Sequence, residues 1–370
     1  MMAEQKRNYG LDLLRILSMF MIVNLHVLGQ GGAMVRIVGS ESTYYAAWLI
    51  ETCAYCAVDC YGLISGYVGV NGKFRPARFL ELWLQVFFYS AGITLGYRIF
   101  APDLLTTDSL WQAIFPVGWK TYWYFSAYAG LFFVMPYLNR LVRSLDDREK
   151  KRLAVVLFLV FSVGTAVPKA NGIDFLQLVG GYSFVWLAVL YLLGACIRTC
   201  RFDRWKKRSY LIGYFGLNLF AWAFKILMEN YTRSVCGEAR YGRMFTGYAA
   251  PTMLLGAVCL VLLFEQLELK NKWSIWIVKK FSPLAFSVYL IHTQPLVWDT
   301  LILDTFDRYR YFPWPLLMIA VLLSAAGIYM VCTAIDYGRN ELFRLLKVRE
   351  KTEKLAGRLE HLWMKVFPWA

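Results

Sequence analysis

The sequence predicts an all-α integral membrane protein with about ten transmembrane helices and both termini cytoplasmic. Three observations predict it. Hydrophobic residues fill 58% of 370 positions and mean hydropathy is +0.44, above the level of a water-soluble domain. Apolar runs of about twenty residues recur along the whole chain, with only short loops between them. Lys and Arg are also asymmetric: 29 of the 40 fall on the side holding both termini and nine on the other, the bias of a positive-inside topology. The net charge of +15 is therefore mainly a topology signal, and no nucleic-acid partner is needed to explain it.

The first span, 9–28, carries Asp12, Arg15 and His26. Its polar residues, and the Gly29-Gln30-Gly31-Gly32 that follows without a small-x-small cleavage pattern, read as a retained helix instead of a signal peptide. A charge at bilayer depth costs at least ~2.5–3.5 kcal/mol, so this helix needs a reason to keep one. Eleven residues from Arg15 to His26 give a rise of roughly 16 Å, and eleven steps of about 100° return both side chains to one face. Asp12, three residues before Arg15, can pair with it.

The second span, 44–70, holds Glu51 and Asp59, with Cys53, Cys56 and Cys60 expected on one helix face. Cys53-x-x-Cys56 superficially resembles a redox or zinc pair; packing of small apolar side chains is the favoured reading. Further spans are expected at 79–100, 122–139, 153–168, 181–199, 209–229, 245–266, 282–303 and 313–336. Trp123, between Tyr122 and Tyr124, fits an interfacial aromatic belt. Lys225 lies inside the seventh span, and His292 inside the ninth beside Gln294-Pro295, where a proline kink can open a polar cavity. Residues 341–370 read as a basic amphipathic tail along the cytoplasmic face, its apolar positions running to Leu362, Trp363 and Val366. No His, Cys and carboxylate group has metal-ligand spacing, so no metal is expected.

Five features in order carry a family resemblance. They are Arg15-x10-His26 within Leu-Asp-Leu-Leu-Arg-Ile-Leu, the segment Val58-Asp59-Cys60-Tyr61-Gly62-Leu63-Ile64-Ser65-Gly66-Tyr67, Arg75-Pro-Ala-Arg78, Trp123 with Pro136, and Ser287-Val-Tyr-Leu-Ile-His292. Together they resemble the membrane-bound acyltransferase 3 family over residues 1–340. Members fused to an extracytoplasmic esterase-like domain often carry acidic residues shortly after the Trp; this chain has Tyr128-Ala129 and looks like the stand-alone branch. The resemblance implies a bacterial enzyme of the cytoplasmic membrane that moves an acyl group, most often acetyl, from cytoplasmic acyl-CoA to a hydroxyl of a cell-surface or lipid-linked carbohydrate. Acetyl-CoA is then the donor, and the partners are the lipid bilayer and a glycan or glycolipid acceptor.

The residues suit that chemistry. Arg15, Arg75 and Arg78 can hold the donor's phosphates through bidentate hydrogen bonds. His26 can act as base or carry the acyl group transiently; Glu51, at comparable depth on the second span, can orient the ring, whereas Asp59, also a catalytic candidate, is expected deeper towards the cytoplasm. Trp123 and His292 are the candidates for substrate contact. Each has a structural alternative: Arg15 can snorkel, Arg75 and Arg78 can be ordinary positive-inside residues, the histidines can pack, and Glu51 and Asp59 can pair structurally. The competing function is a carrier or exporter of a small polar solute, which the absence of two similar halves disfavours.

Overall fold

The computed structural model describes residues 7–34, 40–119, 121–201 and 204–366, with side chains described as far as 359. Lys6, Arg36 and Lys120, which entered the charge asymmetry, and the side chains of Leu362, Trp363 and Val366 lie outside the described residues. Those described form helices and turns without a strand, and seven helical stretches are long and apolar enough to cross a membrane. The chain is an all-α membrane protein.

Its first helix, α1 (Tyr9–Leu28), starts where the Asn8 side-chain oxygen accepts the Leu11 N–H. The second predicted span divides into α2 (Glu41–Ala54) and α3 (Ala57–Gly69). Then follow α4 (Pro76–Phe100), the short α5 (Thr107–Ile114) and α6 (Trp123–Ser144). Next, α7 (Asp147–Phe158) runs through a wide turn at 159–163 into α8 (Gly164–Ala170), so this crossing is longer than predicted. The chain continues through α9 (Phe184–Thr199), α10 (Lys207–Cys236), α11 (Pro251–Glu265), α12 (Lys272–Phe281), α13 (Ala285–His292) and α14 (Pro295–Val297). It ends in α15 (Trp314–Leu345) and α16 (Val348–Val366). Proline opens α4, α11 and α14, where its missing N–H would have no helical partner anyway.

Two of the predicted spans are interrupted. The break at Tyr55-Cys56 puts Cys53 on α2 and Cys60 on α3, yet the thiols stay together: Cys56 Sγ lies 3.7 Å from the Cys53 carbonyl, and all three cysteines act on the Tyr214 hydroxyl. The Tyr214 hydroxyl on α10 donates to the Cys53 carbonyl at 2.8 Å, satisfying an oxygen that the break frees from the helical ladder. The ninth span is likewise not continuous. Its helix stops at His292, and the Gln294 side-chain oxygen accepts the N–H groups of Leu296 and Val297 at 2.8 and 3.1 Å to start α14.

Helix α1 is central, packed against α2, α3, α11, α12, α13 and α15. Helices α3 and α9 pack with their backbones in close approach. There Gly62 and Gly66, four residues apart, meet Leu190 and the Tyr191 backbone, while Gly194 meets the Leu63 backbone. Small residues at this spacing let two backbones approach, which is how membrane helices gain packing when lipid and side chains are equally apolar. A buried Asp336 ties α15 to α4, accepting from Tyr89 Oη at 2.6 Å and from Arg339 Nε and Nη2 at 2.8 and 3.0 Å.

Candidate functional site

His26 sits in the last turn of α1, and His292 ends α13 beside it. Their rings meet at 2.7 Å, His26 Nδ1 to His292 Nε2. The other nitrogen of His292, Nδ1, lies 2.5 Å from the Val288 carbonyl. A carbonyl can only accept, so His292 Nδ1 carries a hydrogen and its Nε2 is the acceptor. His26 Nδ1 must then be the donor. The remaining nitrogen, His26 Nε2, is left with a free lone pair, so a backbone carbonyl sets the tautomer of two histidines in series. The edge of Trp298 closes on the His26 ring, with centroids 5.0 Å apart and planes at 87°.

His26 lines a narrow cavity of about 30 Å³ with Tyr61, Trp123, Tyr124, Tyr248 and Tyr289. That is room for about one water, so a larger group enters only when these rings move apart. Tyr289 also receives the Tyr124 backbone N–H at 3.3 Å.

At the other end of α1, Asp12 is buried and receives three donors: Arg15 Nη1 and Arg7 Nε, each at 2.5 Å, and Ser282 Oγ at 3.3 Å. The pairing of Asp12 with Arg15 expected from their spacing is present. The Arg15 side chain keeps 29% of its exposure, and its carbonyl accepts from Tyr61 Oη at 2.8 Å. Arg75 and Arg78 open α4 as exposed side chains, without a carboxylate partner among the described residues. Arg78 and Arg15 both act electrostatically on the Tyr128 hydroxyl. Arg15 also acts on Tyr61 and Tyr124, which line the His26 cavity. Tyrosines thus connect the arginine end of α1 with its histidine end.

A family model for an acyltransferase domain matches residues 8–334. The chain belongs to the acyltransferase 3 family. It is a multi-pass membrane acyltransferase. Comparison with curated proteins and with solved structures returned no match.

In this acyltransferase 3 protein the two candidate carboxylates lie apart from the ring pair. Glu51, buried on α2, interacts electrostatically with Arg243, Lys225 and the Tyr55 hydroxyl, and its Oε2 has no hydrogen-bond partner among the described residues. Asp59, fully buried on α3, accepts from Trp186 Nε1 at 3.0 Å and feels the charge of Lys169. The His26 ring has His292 as its hydrogen-bonding neighbour instead. Trp123 reaches the cavity and also packs on Tyr182, centroids 4.6 Å apart. Sequence reasoning gave no site role to Tyr61, Tyr124, Tyr248, Tyr289 or Trp298. Tyr61 and Tyr289 stand inside the quoted Val58-to-Tyr67 and Ser287-to-His292 segments and Tyr124 beside Trp123, which were their signals; Tyr248 and Trp298 look like ordinary apolar positions.

Proposed function

We propose that this acyltransferase moves an acetyl group from cytoplasmic acetyl-CoA to a hydroxyl of a cell-surface or lipid-linked carbohydrate. The observation that carries the reading is the hydrogen-bonded chain Val288–His292–His26, which leaves His26 Nε2 as a base of fixed tautomer. His26 Nε2 accepts the acceptor's hydroxyl proton as that oxygen attacks the thioester carbonyl; the carbon–sulfur bond breaks and coenzyme A leaves as the thiol after protonation. In the covalent variant, Nε2 itself attacks and the acyl group passes through an acylimidazole before reaching the oxygen.

Arg15, Arg75 and Arg78 hold the donor's phosphates at the cytoplasmic end, Arg15 kept in place by Asp12. A coenzyme A with phosphates at that mouth extends its thiol arm along Tyr61 and Tyr124 toward His26. Trp123 lies against the acceptor, and Glu51 and Asp59 supply buried carboxylates that order the surrounding tyrosines, tryptophan and cations. No step uses a metal.

The test uses the purified chain in vesicles with acetyl-labelled acetyl-CoA and an extract of surface glycans. Label appears in the glycan fraction with wild-type protein. Arg15→Ala raises KM for the donor by about tenfold or more, the loss of one charge-assisted contact, with a smaller effect on kcat. Solute flux across the vesicle without release of coenzyme A would instead establish a carrier.

A further inference from the structure

A second and larger pocket, about 560 Å³, opens at the histidine end of the bundle beside Gly29 and Gln30, the turn that follows α1. Its volume is that of a site for a small ligand. Tyr44, Trp48, Lys225, Glu229, Arg243 and Asp304 supply its chemistry.

Lys225 is 1% exposed although it lies within the apolar helix α10. Its Nζ pairs with Glu229 Oε1 one turn later and stands 3.6 Å from the centre of the Trp48 ring. The other carboxylate oxygen of Glu229 accepts from Tyr44 Oη at 2.6 Å, so both oxygens of that group are engaged. The Arg243 guanidinium lies 5.5 Å from the same Trp48 ring, exposed at the pocket wall. No carboxylate among the described residues lies within ion-pair distance of it. Arg233 adds a third positive charge near Tyr44. Two cations thus gather on one indole, and the one carboxylate paired with either among the described residues, Glu229, already has a donor on each oxygen. Cation–π contact fixes where these charges sit but neutralises neither.

Two further carboxylates are near. Asp304 forms part of the wall, its backbone N–H tied to the Gln30 carbonyl at 3.0 Å. Glu51 lies within electrostatic reach of both Arg243 and Lys225, buried, with Oε2 lacking a donor among the described residues. It also acts on Tyr55, Tyr182 and Tyr248, the last of which lines the His26 cavity. The wall therefore offers a guanidinium without an ion-pair partner among the described residues for an oxyanion, and the Asp304 carboxylate for hydroxyl donors. That mixture matches a sugar bearing an acidic group better than a neutral sugar or a lipid chain.

We propose that this pocket seats the acceptor through an oxyanion on its carbohydrate, a carboxylate or a phosphate, gripped by Arg243 with Lys225 behind it. The proposal rests on the acyl-transfer reading above and adds the acceptor's class: a negatively charged saccharide. Guanidinium matches either oxyanion in bidentate geometry, so the two sources are separated by experiment.

The full chain is placed in nanodiscs of zwitterionic lipid, and equilibrium binding is measured for three probes. They are a uronic-acid oligosaccharide, the same oligosaccharide with its carboxyl groups reduced to alcohols, and a sugar 1-phosphate. At least one acidic probe binds more tightly than the neutral one, and the tighter of the two acidic probes identifies the oxyanion. Arg243→Ala weakens that probe by about tenfold to a hundredfold, and Arg243→Lys recovers part of the loss. The preference also shrinks at high salt. Equal binding of acidic and neutral probes, no binding of any, or an acidic preference untouched by Arg243→Ala overturns the proposal. Coenzyme A release from acetyl-CoA is followed on the same wild-type discs. Its absence sinks the acyl-transfer reading, whereas its presence without an acidic preference sinks only the pocket assignment.

Discussion

Replacing His26 with alanine lowers acyl transfer by about 10²–10⁴-fold if the ring is the base, and to background if it carries the acyl group. The argument lies in the order of hydrogen bonds. The Val288 carbonyl accepts from His292, His292 accepts from His26, and only His26 Nε2 remains to take a proton. His292→Phe keeps a planar ring of similar bulk but removes the acceptor for His26 Nδ1. The imidazole at 26 is then free to exchange tautomers, and kcat falls by less than in His26→Ala while KM for the donor holds, because Arg15 lies roughly 16 Å away along α1. Stopped-time assays with labelled acetyl-CoA give both constants. A His26→Ala protein that retained wild-type kcat would remove the ring from the chemistry altogether. Trapping label on the protein after acid quench, lost in His26→Ala, separates the acylimidazole route from simple base catalysis.

Replacing Gly66 with valine destabilises the bundle by about 3 kcal/mol or more. A Cβ at Gly66 meets the Tyr191 carbonyl inside contact distance, and one at Gly194 meets the Leu63 backbone from the opposite side. Neither obstacle is a flexible side chain, so α3 and α9 must move apart, carrying Asp59 away from Trp186. Overpacking costs about 1–3 kcal/mol when side chains can yield, and a backbone clash lies at or beyond the upper end. Gly92→Ala and Gly96→Ala provide the contrast: nothing lies within 4 Å of either position on α4, and alanine favours a helix interior by about 1 kcal/mol. The measurement is the midpoint of thermal unfolding in detergent, together with the yield of monodisperse protein. A Gly66→Val chain as stable as wild type would show that the close crossing of α3 and α9 is not what holds that side of the bundle.

How legible the site was in the sequence differs from residue to residue. Arg15 and His26 were readable because both lie on one helix, whose fixed rise and turn convert spacing into geometry. The Asp12–Arg15 pair was readable for the same reason, at three residues. His292 stood out as a polar group in an apolar run, but its role as the ring neighbour of His26 did not, since 266 residues separate them. Lys225 was visible as a buried charge, and Glu229 one turn on lies at a spacing that the sequence already shows; the lysine's seat on Trp48 became clear only when α2 and α10 were packed together.

By itself the sequence determined the class, the apolar stretches and the polar face of α1, because hydrophobic runs and charge bias act locally and lipid leaves helices few alternatives. The tertiary structure decided what each polar group faces. A buried donor or acceptor takes its partner from whichever helix lies alongside, and that neighbour is set by packing of small and large side chains along the whole bundle. The same packing holds the break in the second span, where Tyr214 satisfies a carbonyl that an uninterrupted helix would have kept for itself; the ninth span breaks locally at Pro295, with Gln294 capping the next turn.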